Sequence, residues 1–304
     1  MKLTQSASAV WMIRPLVFYG NPETAETNTF QQSVSIASTS VVLQEFDAVV
    51  KVLRDAGVNV IVTQSSDDKA PDAVFPNNWV SFHANGSVVF YPMMAVSRRR
   101  EREVGVPTEI TDHFSLRNTI DLTALELESK FLEGTGSIVF DHLQRKAYVV
   151  KSERTNEAVL QTLCMKLEYA PVVFSAEDKN GFPVYHTNVV MNIGDAFAVI
   201  CSEAISDPEE RRMVCKSLED SGKELIQIDQ QQMHSFAGNM LQLCNAAQQK
   251  LLVMSATAHS SLTEVQIAAL EKYARMIVVD IPTIEQQGGG SIRCMLAEIF
   301  LPLK

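Results

Sequence analysis

Short stretches of alternating apolar and polar residues recur along the chain, each folded about a glycine or a polar turn. The stretch 79–91 alternates around Asn85 and Gly86, a pair typical of a two-residue β-hairpin loop. The same alternation predicts further hairpins over 137–150, 188–201 and 239–254. The pattern therefore predicts a protein built on short antiparallel strand pairs.

A helical stretch and then an apolar strand follow the hairpins. Apolar residues recur every three or four positions in 157–167 and in 262–273, as the buried face of a helix requires. A third helix is predicted over 40–56, where Gly57 would end it. The predicted apolar strands are 58–62, 172–174, 225–228 and 276–279. A strand at 9–13 is expected to partner the first of them.

The hairpin, helix and strand form a ββαβ unit that repeats about every fifty residues. The turns that open the units have equivalent points at Asn78, Gly136, Asn188, Gly238 and Gly290, which are 58, 52, 50 and 52 residues apart. Such even spacing predicts a repeat architecture, with chance spacing in an ordinary α/β protein as the alternative. We predict one closed α/β domain over 1–304, with about five units and the first completed by both chain ends.

Composition narrows the class of protein. The hydrophobic fraction of 46% and the charged fraction of 20% are those of a globular protein with ample core. A net charge of −10 argues against a nucleic-acid partner, because phosphate is bound by Lys and Arg. The five cysteines are scattered without a C-x-x-C pair, which argues against disulfides and zinc and favours a reducing cytosol.

No membrane partner is expected either. No apolar run approaches the roughly 20 residues that span a bilayer, and 1–11 lacks the apolar core of a signal peptide. We therefore expect a cytoplasmic protein.

The segment GGGSIRC at 288–294 is the first candidate for chemistry. Glycines allow a ligand to approach the backbone closely, and a thiol on such a turn beside Arg293 could ionise and attack an electrophile. The alternative is a tight turn followed by a buried cysteine, since free cysteine is among the most buried residue types. A ring of ββαβ units would direct its turns to a common centre, so Cys294 would meet Asp72, Glu133 and His186 there.

Four segments in this order resemble the guanidino-group-modifying enzymes, the pentein superfamily. They are PDAVF at 71–75, LEGTG at 132–136, HTNV at 186–189 and the glycine-rich segment at 288–294. The chain is most similar to the amidinotransferase-like branch that includes citrulline-utilisation hydrolases, and it also resembles dimethylarginine dimethylaminohydrolase. The resemblance implies a five-bladed, pseudo-symmetric αβ-propeller, covalent cysteine catalysis, and neither metal nor cofactor.

The resemblance also implies three catalytic roles. Cys294 would attack the central carbon of the substrate as a thiolate. His186 would protonate the departing nitrogen and then activate water or an acceptor amine. Glu133 would orient His186 and stabilise its cationic form. The alternatives are a hydrogen-bonded strand-edge histidine and an exposed loop acid.

Substrate binding is expected from Asp72, Asn77, Asn78, Arg98 and Asn188. Asp72 would accept hydrogen bonds from substrate nitrogens, or else only shape the turn after a proline. Arg98 would bind a carboxylate with its forked donors, or else be one solvated arginine of a charged run. Hydrolases of methylated arginine typically carry acids where this chain has Asn77 and Asn78. Amides both donate and accept, which favours a neutral ureido substrate such as citrulline.

Three functions remain open at this stage. The first is a C–N hydrolase of a guanidino or ureido amino acid, and the second is an amidinotransferase that passes the group to an amine. The third is a non-catalytic pentein that binds a partner, for which loss of the catalytic residues would be expected. The partner predicted here is a small amino-acid substrate. The oligomeric state is left open, a homo-oligomer included.

Overall fold

The structure, a computed structural model, describes residues 3–31 and 39–304; residues 1–2 and 32–38, which belong to the predicted 1–304 domain, lie outside the described ranges. The strands are β1 (Ala9–Arg14), β2 (Asn59–Gln64), β3 (Val80–Phe82), β4 (Ser87–Phe90), β5 (Asn118–Asp121), β6 (Ile138–Asp141), β7 (Lys146–Val150), β8 (Ala170–Phe174), β9 (Met191–Ile193), β10 (Phe197–Ile200), β11 (Glu224–Gln227), β12 (Leu241–Cys244), β13 (Lys250–Ser255), β14 (Arg275–Val279) and β15 (Ala297–Glu298).

Helices and helical turns connect the strands. The α-helices are Pro22–Ala25, Thr39–Asp55, Val96–Arg99, Thr108–His113, Gly134–Ser137, Glu157–Leu167, Thr187–Val190, Pro208–Glu219, Gln230–His234, Ala256–Ser261, Glu264–Glu271 and Pro282–Gly288. The 3-10 turns are Pro76–Asn78, Arg100–Val104, Thr123–Glu128, Ser202–Ala204 and Ile292–Met295. Within the described ranges, none of the helices is long and apolar enough to cross a membrane.

The described strands form five three-stranded sheets of one design. In four of them an antiparallel hairpin is followed, after a helical connection, by a strand parallel to the second hairpin strand; β3, β4 and β5 are one example. The first sheet has the order β15-β1-β2 and so joins both chain ends. The ββαβ unit and the five-bladed αβ architecture are therefore confirmed. The strand at 9–13 pairs with β2 in parallel, and its antiparallel partner is the C-terminal β15.

Local sequence explains where the helices begin. Helix Glu157–Leu167 has the predicted bounds, because the Asn156 side chain accepts hydrogen bonds from the first free backbone N–H groups. The helix predicted over 262–273 is shorter, Glu264–Glu271. Thr263 begins it by forming a capping box with Gln266, which leaves Leu262 outside.

The first strand of each hairpin lies near the axis of the ring. Strand β15 contacts β3, and β9 contacts both β6 and β12. The helical turns that precede these strands also contact one another: Pro76–Asn78 meets Gly134–Ser137 and Ile292–Met295, and Gly134–Ser137 meets Thr187–Val190. The fold thus gathers backbone turns from distant parts of the chain at one end of the axis.

Candidate active site

A small cavity of about 20 Å³, partly open to solvent, lies where these turns meet. Its lining consists of Thr24, Asn28, Asp72, Phe75, Asn78, Arg98, Arg154, Tyr185, His186, Gly288, Gly289, Gly290 and Cys294. Five residues predicted for the site are among them, and Glu133 reaches the cavity through His186. Within the described residues, no three His, Cys, Asp or Glu side chains are grouped as metal ligands would be.

Cys294 occupies the 3-10 turn Ile292–Met295 and is 5% exposed. Two amide groups approach its Sγ atom: Asn188 Nδ2 at 3.5 Å and Asn239 Nδ2 at 3.4 Å. N–H donors of this kind stabilise a thiolate. Arg293, expected beside the thiol, instead donates to Glu298 at 2.9 Å and does not line the cavity. The sulfur therefore has amide dipoles around it and not the neighbouring guanidinium.

His186 and Glu133 form a buried pair. The imidazole Nε2 lies 2.9 Å from Glu133 Oε2, and both side chains are at most 3% exposed. Glu133 also accepts from the backbone N–H of Met94 at 3.1 Å and faces Arg154 Nη1 at 3.5 Å. These contacts fix the orientation of the carboxylate, which in turn orients the imidazole.

Electrostatics set the resting charges of this pair. Burial lowers the pKa of His186 to about 4, although the hydrogen bond with Glu133 opposes the shift. Burial also disfavours the charged form of Glu133, but Arg154 and His186 outweigh it and hold the pKa of that carboxyl below its usual value. At neutral pH the imidazole is thus uncharged and beside a carboxylate. The resting histidine is thus in the neutral form, the one that can accept a proton.

Asp72 offers an unused acceptor to the cavity. Its Oδ2 accepts a hydrogen bond from Asn21 Nδ2 at 2.8 Å, whereas Oδ1 has no hydrogen-bond partner among the described residues. The residue is 2% exposed, and burial raises the pKa of its carboxyl while Arg98 opposes the rise. A buried acceptor without a partner is costly, so Asp72 suits a ligand that brings an N–H donor.

Arg98 lines the cavity, but its donors are mostly taken. Its Nε and Nη2 atoms bind Glu101 at 2.8 and 3.0 Å, and Nη2 also donates to the carbonyl of Phe75 at 3.1 Å. Its Nη1 donates to Asn78 Oδ1 at 2.7 Å. The fork predicted to bind a substrate carboxylate is therefore occupied by Glu101.

The contact with Arg98 settles the orientation of the Asn78 amide. A guanidinium has only donors, so the amide oxygen must face it and Nδ2 must face away. Nδ2 is buried and has no partner among the described residues, and the side chain lines the cavity. Asn78 therefore has an unpartnered N–H donor, and Asp72, which lines the same cavity, has an unpartnered acceptor.

Asn77 and Asn188 are the predicted substrate-binding residues that lie outside the cavity lining. Asn77 is fully buried and donates to Thr135 Oγ1 at 3.2 Å. Asn188 contacts Cys294, so the structure associates it with the nucleophile.

A family model for eukaryotic N,N dimethylarginine dimethylhydrolases matches residues 14–301. The chain belongs to this family. Membership confirms the predicted place among the guanidino-group-modifying enzymes. No curated protein matches the chain.

Solved structures of the same superfamily resemble the chain throughout. The substrate-bound N-terminal domain of ArgZ, an arginine dihydrolase from the ornithine-ammonia cycle in cyanobacteria, has a TM-score of 0.76 and 13% identity, covering 97% of this chain and 98% of that domain. An adduct of dimethylarginine dimethylaminohydrolase with S-methyl-L-thiocitrulline has a TM-score of 0.67 and 17% identity, covering 96% and 100%. At these identities the likeness shows the fold.

The apo structure of ArgZ reaches a TM-score of 0.77 at 13% identity over 97% of this chain. The present chain spans only 41% of the length of that ArgZ chain.

Arg154 and Tyr185 are among the cavity-wall residues that sequence reasoning missed. Arg154 donates to Thr24 and Thr27 as well as to Glu133, and its guanidinium stacks over the Tyr185 ring at 4.7 Å. Tyr185 donates to the carbonyl of Gly289 at 2.7 Å, which ties it to the glycine-rich turn. A lone arginine in a polar loop carries no signal of burial, so these contacts needed the structure.

Proposed function

We propose that this protein hydrolyses a C–N bond of a guanidino or ureido amino acid through a covalent intermediate on Cys294. The observation that carries the proposal is one cavity lined by the Cys294 thiol, the imidazole of His186 on Glu133, and the free acceptor of Asp72. The proposal assigns the reaction to protein side chains and to a single domain, 1–304. The five unpaired cysteines support a reducing, cytoplasmic location.

The residues account for each proton in the reaction. Neutral His186 takes the proton of Cys294, and the thiolate adds to the ureido or guanidino carbon. The imidazolium, stabilised by Glu133, gives that proton to the departing nitrogen as the C–N bond breaks. Neutral His186 then takes a proton from water, which attacks the thioester-like carbon and frees the thiolate. With citrulline the products are ornithine and carbamic acid, which decomposes to ammonia and carbon dioxide.

The amide of Asn78 favours a ureido group in the proposed reaction. A ureido carbonyl accepts, and Asn78 Nδ2 is an unpartnered donor. The ureido NH₂ donates, and Asp72 Oδ1 is an unpartnered acceptor. A ureido group, as in citrulline, can therefore hydrogen-bond with both Asn78 Nδ2 and Asp72 Oδ1. A guanidinium group has only N–H donors and would place one of them against the N–H donor of Asn78.

Arginine is the second candidate substrate, and Asp72 is the observation that favours it. A buried carboxyl with a free oxygen suits a cationic N–H group. Transfer of an amidino group to an amine uses the same first half-reaction and stays a hypothesis. A non-catalytic binding protein would have no need of the paired His186 and Glu133 beside a thiol.

The test is intact-protein mass spectrometry after incubation with citrulline, arginine or their N-substituted analogues, together with measurement of ornithine and ammonia. Wild type and Cys294→Ser are compared side by side. We expect wild type to convert citrulline to ornithine and the variant to be inactive. Citrulline released from arginine or methylarginine would contradict the ureido assignment, and turnover by Cys294→Ser would contradict the nucleophile.

A further inference from the structure

Buried charges around Arg98 and Arg154 pair in a way that leaves one carboxyl without a cation of its own. Arg154 faces Glu133 at 3.5 Å. Arg98 binds Glu101 through two hydrogen bonds of 2.8 and 3.0 Å. Asp72 Oδ2 lies 3.8 Å from Arg98 Nε, which already donates to Glu101. The cation nearest to Asp72 is thus held by another acid.

Glu101 has no direct access to the reaction. It lies in the turn Arg100–Val104, its side chain is 0% exposed, and it is not part of the cavity lining. The hydrogen bonds described for its carboxylate both come from Arg98. A buried ion pair is a weak source of stability, because desolvation offsets the attraction. Its position behind the cavity wall suggests a role in binding.

Loss of the Glu101 charge would have two consequences. Arg98 would keep Asp72 as the nearest remaining carboxylate, and their present 3.8 Å ion pair would shorten into a direct hydrogen bond. The guanidinium would then turn away from Asn78, whose amide orientation depends on it. The two unpartnered atoms, Asp72 Oδ1 and Asn78 Nδ2, would then both change position or acquire a partner.

We propose that Glu101 is a positioning residue: it holds Arg98 so that Asp72 stays free to bind the N–H groups of the substrate. The identity of the substrate in this inference rests on the proposed function, but the charge of the cavity does not. The preference of the cavity for a cation can be measured with two small reagents of the same shape, cationic 2-chloroacetamidine and neutral 2-chloroacetamide. Both alkylate a thiol, with chloride leaving as the S–C bond forms.

The experiment measures the alkylation rate of Cys294 with each reagent, mapped by peptide mass spectrometry. In wild type we expect the cationic reagent to be favoured by Asp72. In Glu101→Gln the cation-to-neutral rate ratio should fall about tenfold, as loss of one charge-assisted contact implies. Glu103→Gln removes the same charge from an exposed position on the same turn and should change the ratio by less than about twofold.

A double-mutant comparison separates the mechanism from a general field effect. If Glu101 acts by freeing Asp72, Glu101→Gln should have little effect in an Asp72→Asn background. An unchanged ratio in Glu101→Gln, an equal fall in Glu103→Gln, or an undiminished effect in Asp72→Asn would each overturn the proposal. If Glu101→Gln does not fold, Glu101→Asp is used instead. An unchanged cation-to-neutral rate ratio in Glu101→Asp would then overturn the proposal.

The outcomes also separate this inference from the proposed function. Turnover assays of Glu101→Gln should show a raised KM for citrulline with kcat changed much less. Normal labelling ratios without turnover of any ureido or guanidino compound would overturn the function alone. An unchanged ratio with normal turnover would overturn the inference alone. Failure of both reagents to label wild-type Cys294 would overturn both, since both require an accessible thiol beside Asp72.

Discussion

Gly136 lies where two site residues approach the backbone most closely. A methyl group there would lie 2.4 Å from Asn78 Nδ2 and 2.7 Å from both Nδ1 and Cε1 of His186. Ordinary contacts begin at 3.4 Å, so Gly136→Ala requires the amide to retreat by about 1 Å and the imidazole by slightly less. Because a misplacement of about 1 Å can cost about 100-fold in rate, we expect kcat/KM to fall by that amount.

The change should leave the protein folded, because overpacking costs about 1–3 kcal/mol and native domains have about 5–15 kcal/mol of stability. Gly194→Ala is the matched control: its methyl group would lie 2.3 Å from Phe197, and neither residue lines the cavity. Activity is followed by product release and stability by urea unfolding. Both variants should lose similar stability, and only Gly136→Ala should lose activity. Full activity in Gly136→Ala, or an equal loss in Gly194→Ala, would refute the reasoning.

Three other changes test separate contacts. Glu133→Gln should lower kcat about 10- to 100-fold, the worth of a charge-assisted hydrogen bond. It should also move the acidic limb of the pH–rate profile to lower pH, because Glu133 raises the pKa of His186. An acidic limb that does not move would contradict this role of Glu133. Lys223→Met leaves Asp141, 3.6 Å away, buried without its cation. Urea unfolding should show that the free energy of unfolding falls by about 3–5 kcal/mol, and adding Asp141→Leu to this variant should largely restore it. A fall below about 1 kcal/mol in Lys223→Met would contradict the prediction. Burial lowers the pKa of His83 to about 4, so protonation favours the unfolded chain. The free energy of unfolding should therefore fall as pH drops from about 6.5 towards 4, and His83→Asn should make this fall less steep. An unchanged dependence on pH in His83→Asn would contradict this assignment to His83.

The fold could be predicted because the repeating pattern carries it. Period-two stretches and capped helices recur in the same order, so the unit is visible without knowing how the units meet. The turns that open the units were less predictable, since packing across the axis sets their backbone. Gly134 illustrates this: it has φ of +46°, and a methyl group on it would lie 2.3 Å from the carbonyl oxygen of Asn77. No local pattern encodes that approach.

The same limit applies to the site. Ring geometry and resemblance predicted that Cys294, His186 and Asp72 would come together, because the backbone turns alone decide it. Which acid pairs with which arginine depends on side-chain direction, and a charged run such as 98–103 is typical of a solvated face. Two of its members, Arg98 and Glu101, are instead buried and paired. Charge pairing behind a cavity wall needed the structure.

Amide groups surround the nucleophile where a cation was expected. Asn188 and Asn239 approach the sulfur, while the guanidinium of Arg293 is directed elsewhere. A neutral ureido substrate brings no charge with it, and Arg98 and Arg154 are already paired with Glu101 and Glu133. A thiolate in this cavity therefore gains most from a cation formed in place. His186 becomes that cation when it accepts the thiol proton, and Glu133 stabilises it. A guanidinium substrate would itself offset the thiolate charge. Hydrolysis of ureido compounds should therefore depend on Glu133 more strongly than hydrolysis of guanidino compounds.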